Sequence, residues 1–157
     1  MNFGSGNLTI EGWINTTSAA QYATIYSNTI ATFASTYWTL LINNASATAG
    51  DVAVYVGDYS TTTPLLLTTG VSVRDGTWHH IAVVRNGSAW VLYVDGTSRA
   101  TGTWAGTIVA ASNLAHIGHD PYYGRFFAGY IDDFRVTPGY ARYTSNFTPP
   151  AGALPNV

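Results

Sequence analysis

The stretch from Trp78 to Gly96 constrains the fold more than any other part of the chain. Two runs rich in valine, isoleucine and aromatic residues flank Asn86-Gly87, and the second run ends in Asp95-Gly96. Asn-Gly is a strong hairpin signal, because both residues accept the positive φ that a tight primed turn needs. This stretch therefore predicts a long antiparallel hairpin in the middle of an all-β domain.

The rest of the sequence repeats this pattern on a smaller scale. Leu8, Ile10 and Ile14 alternate with polar or outward positions, which predicts a strand covered mainly on one side. No stretch keeps an apolar spacing of about 3.6 residues, and Gly or Asn interrupts the chain roughly every 8–12 residues, as in β-sandwiches. Apart from the hairpin, strands or strand pieces are expected at 8–14, 22–26, 37–42, 51–56, 65–67, 71–73, 98–103, 107–109, 114–118 and 126–136.

Composition excludes several classes of protein. The 157 residues suit one domain with a sizeable core, and the six cationic residues are dispersed arginines in a chain of net charge −2, so no nucleic-acid footprint is expected. Cysteine is absent, which removes disulfides, thiolate zinc sites and cysteine nucleophiles. No apolar run approaches the roughly 18 residues of a membrane span, so no membrane insertion is expected. Residues 1–6 lack the features of a signal peptide, so export would need another element.

Two adjacent histidines lie at the start of the central hairpin. In a strand, His79 and His80 point to opposite faces and cannot chelate one metal together. His80 is expected to face a sheet interior as a hydrogen-bonded core residue, whereas His79 shares the face of Ile81 and Val83. Both histidines are interpreted as structural.

The Asp132-Asp133 pair is a candidate cation site. Ile131 and Phe134 are both apolar but an odd number of residues apart, so one sheet face can bury both only if a β-bulge lies at the Asp pair. A bulge that frees carboxylates could hold Ca²⁺, which prefers several oxygen ligands. The alternative is that one Asp caps backbone amides or pairs with Arg135 or Arg142.

The loop from Asp120 to Arg125 is the best ligand-binding candidate. Flat aromatic faces bind the C–H surfaces of sugars, and planar polar groups bind their hydroxyls. The candidate ligand-binding residues are Asp120, Tyr122, Tyr123 and Arg125, with Asp58 and Tyr59 of an earlier loop if the fold brings the loops together. The alternative is that a tyrosine of this tyrosine-rich chain only packs on a sheet edge.

Five segments resemble known proteins, in order along the chain. They are LTIEGWI at 8–14, DGTWHHIAV at 75–83, LYVDG at 92–96, GYIDDFRV at 129–136 and ARYTSNFTPP at 141–150. The first four resemble laminin-G-like domains of the concanavalin A-like lectin/glucanase superfamily. The fifth resembles an ending common in structural proteins, such as tail or fibre proteins, of bacteriophages and marine viruses.

The resemblance implies an all-β jelly-roll sandwich of two antiparallel sheets, here over residues 1–147, followed by a proline-rich strap or linker at 148–157. Such domains often bind calcium, and some superfamily members are glucanases. Glucanases need two carboxylates beside the glycosidic bond. Glu11 is the single glutamate, the consecutive Asp132 and Asp133 should diverge, and the glucanases' Glu-rich strand is missing. No enzyme activity is expected.

The sequence therefore predicts a non-catalytic recognition or display module on a virion or outside the cell. Its expected partners are a cell-surface glycan and other virion or parent-chain proteins. The alternative is a purely structural virion or tail module. Family members usually carry a strand before the segment that starts at Asn2, so either the chain is trimmed there or an edge strand is missing. A missing strand would leave an edge that another chain, including a second copy, could complete.

Overall fold

The computed structural model describes residues 3–28, 37–43, 50–57, 63–108, 115–152 and 154. These residues form strands and loops, and none of them lies in a helix long and apolar enough to cross a membrane. The strands are β1 (Leu8–Asn15), β2 (Ala23–Ser27), β3 (Tyr37–Ile42), β4 (Val52–Gly57), β5 (Leu66–Leu67), β6 (Trp78–Asn86), β7 (Ala89–Val94), β8 (Thr97–Thr103), β9 (His116–Ile117), β10 (His119–Asp120), β11 (Arg125–Phe126) and β12 (Tyr130–Pro138).

Two five-stranded antiparallel sheets face each other across one core. The first has the order β12-β1-β6-β7-β8, and the second has the order β5-β4-β3-β2-β9. Ile10 and Val83 from the first sheet and Trp38 and Leu40 from the second belong to the same cluster of buried side chains. This arrangement confirms the predicted sandwich of two antiparallel sheets.

The central hairpin is present, but its turn lies one residue later than predicted. Asn86 is the last ladder residue of β6 and pairs with Ala89, so the two-residue loop is Gly87-Ser88. Gly87 has a φ of 62°, and it is the only residue of that loop with positive φ. At Asp95-Gly96, in contrast, both residues have positive φ, which is the requirement of a type I′ turn.

The outer face of β1 is buried as well, which the sequence did not predict. The segment from Tyr140 to Pro150 crosses this face. This segment, which includes the first residues of the predicted proline-rich strap at 148–157, is called the strap below. Thr9 Oγ1 donates a hydrogen bond to the Tyr140 carbonyl at 2.9 Å, and the Arg142 amide donates to Thr9 Oγ1 at 2.9 Å. The Phe147 amide donates a hydrogen bond of 2.9 Å to the Gly96 carbonyl. The expectation of a strand covered mainly on one side was therefore wrong.

His80 lies under the strap and not between the sheets. Its side chain is fully buried, and its ring meets the ring of Phe147 edge to face at 5.7 Å between centroids. His79 lies on the face of Ile81 and Val83, which belong to the main core. The histidines thus diverge as predicted, but the face assigned to His80 was wrong because the strap buries the outer face too.

A bulge interrupts the pairing of β1 with β12. Glu11 pairs with Arg135 and Trp13 with Asp132, so three steps along β12 match two along β1. Ile131 and Phe134 both pack against the main core as a result. The predicted bulge at the Asp pair is confirmed.

Three local predictions differ from the structure. Residues 71–73 form no strand. The loop predicted after Gly118 is a small hairpin, because β10 and β11 pair through Asp120 and Arg125. The last long strand begins at Tyr130. The predictions for Asp58, Tyr59 and residues 109–114 lie outside the described residues.

Candidate functional site

An aromatic groove lies on the outer face of the first sheet, where β1 ends and β6 and β12 begin. Trp13 is paired across the sheet with Asp132, and Asn15 is paired with both Trp78 and Tyr130. Directly paired residues project from the same face of a sheet. The register therefore gathers two tryptophans, a tyrosine and a carboxylate on one outward surface.

The groove has a volume of about 370 Å³, and Trp78 is 46% exposed. The rings of Trp78 and Tyr130 lie 6.4 Å apart between centroids, and Tyr130 is 71% exposed. Trp13 is half-buried, with its ring edge-to-face with that of His80 at 5.2 Å. The lining residues are Trp13, Trp78, Asp132, Asp133, Pro150, Ala151 and Gly152.

The two carboxylates of the groove differ in their surroundings. Asp132 is exposed, and its Oδ1 accepts a hydrogen bond of 2.8 Å from the Asp133 amide. Asp133 is half-buried and has a φ of 48°, so the bulge holds it in the left-handed region. One predicted alternative, in which an Asp caps a backbone amide, is thus present at Asp132.

The side chains of this pair supply fewer oxygen donors than a calcium site uses. Ca²⁺ takes roughly six to eight oxygen ligands, several of them from the protein. Asp132 and Asp133 supply two carboxylates, one of which already bonds an amide. No group of three or more potential ligand side chains is found in the described part of the chain. Calcium at this pair remains a prediction from the sequence alone.

The predicted ligand loop is ordered by Asp120. Its side chain is fully buried, and its Oδ1 accepts hydrogen bonds from the amides of Tyr122 at 3.0 Å and Tyr123 at 3.3 Å. Gly124 completes the turn with a φ of 63°. Asp120 therefore shapes the loop from within, while Tyr122 and Tyr123 are half-buried at its surface.

Arg125 brings a residue into this loop cluster that the sequence did not identify. Its guanidinium carbon lies 4.1 Å from the ring centroid of Tyr123 and 4.1 Å from that of Tyr22. Tyr22 precedes β2 and has a φ of 55°, and its amide donates to the Asn43 carbonyl at 3.1 Å. No local pattern links Tyr22 to a loop about a hundred residues away, so only the fold could reveal the pair.

The structure thus assembles Tyr122, Tyr123 and Arg125 in one surface loop but keeps Asp132 and Asp133 in the separate groove. Sequence reasoning missed Trp13 and Trp78 as site residues. A usable signal existed, because Trp13 alternates with the core residues of β1 and therefore points outward.

Glu11 is a buried charge under the strap. Arg135 donates to its Oε1 through Nη2 at 2.6 Å, and Tyr143 donates to its Oε2 at 2.7 Å. Burial raises the pKa of Glu11, but hydrogen bonds from His80, Tyr143 and Arg135 outweigh burial and lower that pKa to about 2. Burial, together with the bond to Glu11, raises the pKa of Tyr143 to about 12. Glu11 is therefore ionised, and both of its carboxylate oxygens already accept hydrogen bonds. This suits a structural role and not that of a general acid.

His79 forms a second, exposed charge cluster. Its Nδ1 lies 2.8 Å from Asp95 Oδ2, and its Nε2 lies 3.1 Å from Asp75 Oδ1. Partial burial opposes the charged form, but the bonds to Asp95 and Asp75 raise the pKa of His79. Asp95 also accepts the His80 amide at 2.9 Å through Oδ1. The cluster fastens the β7–β8 turn to β6.

Three solved structures illustrate the similarity of the fold. The mouse laminin α1 chain, domains LG4-5, superposes with a TM-score of 0.67 at 18% identity, over 93% of this chain and 40% of that one. The Ruminococcus gnavus IT-sialidase CBM40 superposes with a TM-score of 0.65 at 19% identity, over 83% of this chain and 75% of that one. A putative carbohydrate binding protein from Bacteroides ovatus superposes with a TM-score of 0.65 at 23% identity, over 91% of this chain and 39% of that one. At these identities the likeness establishes the fold alone.

The chain spans well under half of the laminin and Bacteroides chains that it matches. No curated protein sequence matches it. A laminin G family model, described as the concanavalin A-like lectin/glucanases superfamily, matches residues 1–141. Since that match covers most of the sequence and the two facing antiparallel sheets agree with it, the chain belongs to the concanavalin A-like lectin/glucanases superfamily as a laminin G-type domain.

Proposed function

We propose that the chain is a non-catalytic glycan-recognition module that binds through the groove at Trp13 and Trp78. The observation that carries this proposal is the combination of two indole rings, exposed Trp78 and half-buried Trp13, with two carboxylates in one concave surface. Indole faces stack against the C–H faces of sugar rings, and the carboxylates of Asp132 and Asp133 accept hydrogen bonds from sugar hydroxyls.

The size of the groove suits a short stretch of a glycan ligand. Small-molecule sites commonly measure roughly 300–1,000 Å³, and about 370 Å³ lies near the lower end of that range. Two of the three similar structures are described as carbohydrate-binding. A short stretch of an oligosaccharide, held by its ring faces and a few hydroxyls, is the ligand that this surface suits.

The proposed setting is a structural protein of a phage or virus-like particle, on the virion or outside the cell. The ARYTSNFTPP segment at 141–150, which resembles viral structural proteins, supports this setting. Calcium is no part of the proposed binding step. The proline-rich end of the chain would serve as the connection to the parent particle.

Binding to immobilised glycans tests the proposal. Trp78→Ala should weaken binding by about tenfold, which is 1.4 kcal/mol, because it removes one stacking surface. Tyr140→Ala is a matched control, since Tyr140 is 62% exposed but lies outside the groove. A wild-type chain that binds no glycan on a broad array, or equal losses in the two variants, would contradict the proposal.

The alternative is a structural module that pairs with another chain through a sheet edge. The order of the first sheet ends at β12, which is nine residues long and carries exposed Tyr130. Long edge strands are templates for pairing unless they are protected. Light scattering over a wide concentration range decides this point, because edge pairing predicts a mass that rises with concentration.

A further inference from the structure

We propose a second ligand site at Arg125, which recognises the carboxylate of an acidic sugar. Arg125 contacts the faces of two tyrosine rings, Tyr22 and Tyr123, each at 4.1 Å from the guanidinium carbon. Such cation–π contacts fix a side chain that otherwise samples many rotamers. The guanidinium is therefore held in place before any ligand arrives.

The donors of Arg125 are unused. Its guanidinium forms no hydrogen bond and no ion pair with the described residues, although it is half-buried. The other two stacked arginines, Arg85 and Arg142, behave differently. Arg85 donates to the carbonyls of Gly87, Gly4 and Gly106. Arg142 donates to Thr137 Oγ1 through Nε. Arg135 likewise uses its donors, because its Nε and Nη2 both donate to Glu11 Oε1. Among the stacked or ion-paired arginines of the described chain, Arg125 is thus the one whose guanidinium contacts aromatic rings while its N–H groups donate no hydrogen bond.

The nearest acidic side chain along the hairpin does not neutralise Arg125. Asp120 is its cross-strand partner, yet the Asp120 side chain is buried, and its Oδ1 accepts the amides of Tyr122 and Tyr123. No ion pair joins Asp120 to Arg125. The positive charge of the loop is consequently available to a ligand.

The geometry favours a planar oxyanion. A guanidinium carries five N–H donors in its own plane, and ring contacts on its faces leave those in-plane donors for an acceptor. Two of them match the two oxygens of a carboxylate. The flanking tyrosines offer the C–H and aromatic surface that a sugar ring needs beside its carboxylate.

This site differs in charge from the groove. Asp132 and Asp133 would repel an acidic sugar, so the groove suits neutral residues and Arg125 suits acidic ones. The assignment of the anion to a sugar rests on the proposed function. The existence of an anion site at Arg125 does not.

Affinity electrophoresis of the full chain through gels with polygalacturonate tests the inference, with the methyl-esterified polymer as the neutral counterpart. Arg125→Gln should weaken binding to the acidic polymer by about 10- to 100-fold and leave binding to the ester unchanged. Arg125→Lys should lose nearly as much, because a lysine keeps the charge but not the planar fork. Arg99→Gln is the charge-matched control, since Arg99 is exposed on β8.

Each outcome decides the inference. Equal losses in Arg125→Gln and Arg99→Gln, full affinity in Arg125→Lys, or equal binding of acid and ester would overturn it. Inorganic phosphate that displaces the polymer as well as galacturonate does would point to a general oxyanion site and overturn the assignment to a sugar. Trp78→Ala separates the two proposals, because it should spare binding that depends on Arg125. Thermal melting confirms that every variant is folded.

Discussion

Glu11 Oε1 accepts a hydrogen bond of 2.6 Å from Arg135 Nη2, in a site where Glu11 is only 1% exposed. The two residues are directly paired across β1 and β12, and Tyr143 of the strap closes the site from outside. The single glutamate of the chain therefore joins two strands and the strap through one carboxylate.

Glu11→Gln should lower the free energy of unfolding by about 3 kcal/mol, because it leaves the Arg135 charge without its partner under the strap. Chemical denaturation measures this loss. Asp132→Asn is the matched control, since Asp132 is exposed and its replacement should cost little. Equal stability of the two variants would show that the buried ion pair is dispensable.

Acid should destabilise the protein through Glu11. Its pKa falls from 4.5 in the unfolded chain to about 2 in the fold, because bonds from His80, Tyr143 and Arg135 outweigh burial. Its contribution is therefore complete above pH 4.5 and is lost as the pH falls from 4.5 towards 2. Thermal melting across this range should show a steep fall in midpoint that is shallower in Glu11→Gln. Parallel curves for the two proteins would disprove the linkage.

Gly96→Ala should detach the strap. Gly96 has a φ of 72°, and an added Cβ would collide with the Phe147 carbonyl. Gly87→Ala isolates the backbone effect, because Gly87 has a φ of 62° but open space around it. We expect a loss of about 1 kcal/mol for Gly87→Ala and at least twice that for Gly96→Ala. Hydrogen exchange at the Phe147 amide should accelerate only in Gly96→Ala, and unchanged exchange there would contradict the steric argument.

Local patterns predicted most of the fold. Alternation located β1, turn residues located the central hairpin, and the odd spacing of Ile131 and Phe134 located the bulge. These features depend on neighbours within a few residues. Sequence patterns could not assign the outer face of the first sheet, because the strap that buries His80 comes from the far end of the chain.

The candidate sites follow the same rule. The loop with Tyr122, Tyr123 and Arg125 is contiguous, so its composition pointed to it. Its partner Tyr22 and the groove at Trp13 and Trp78 depend on strand register and on contacts between distant segments. Alternation alone could have marked Trp13 as an outward aromatic residue, but it could not supply the neighbours that make a groove.

Chelation tests the predicted calcium site at Asp132 and Asp133. If Ca²⁺ bound there, EDTA would lower the melting midpoint and added Ca²⁺ would restore it. The oxygen donors described at this pair are too few for such a site, so we expect the midpoint to stay unchanged. A reversible shift of the midpoint that Asp132→Asn abolishes would show that Ca²⁺ binds at this pair.

Glycan binding by a single domain should be weak and should gain strength from assembly. One groove with two indole rings gives a small contact area, whereas display in several copies makes each further contact intramolecular. A tetramer built on a rigid carrier should bind a glycan-coated surface about 10²–10⁴ times more tightly than the isolated chain. A tetramer of Trp78→Ala is the control, and it should lose most of this gain because each copy has lost a stacking surface. Surface binding kinetics measure the difference. Equal affinity of monomer and tetramer would contradict a role that depends on multivalent display.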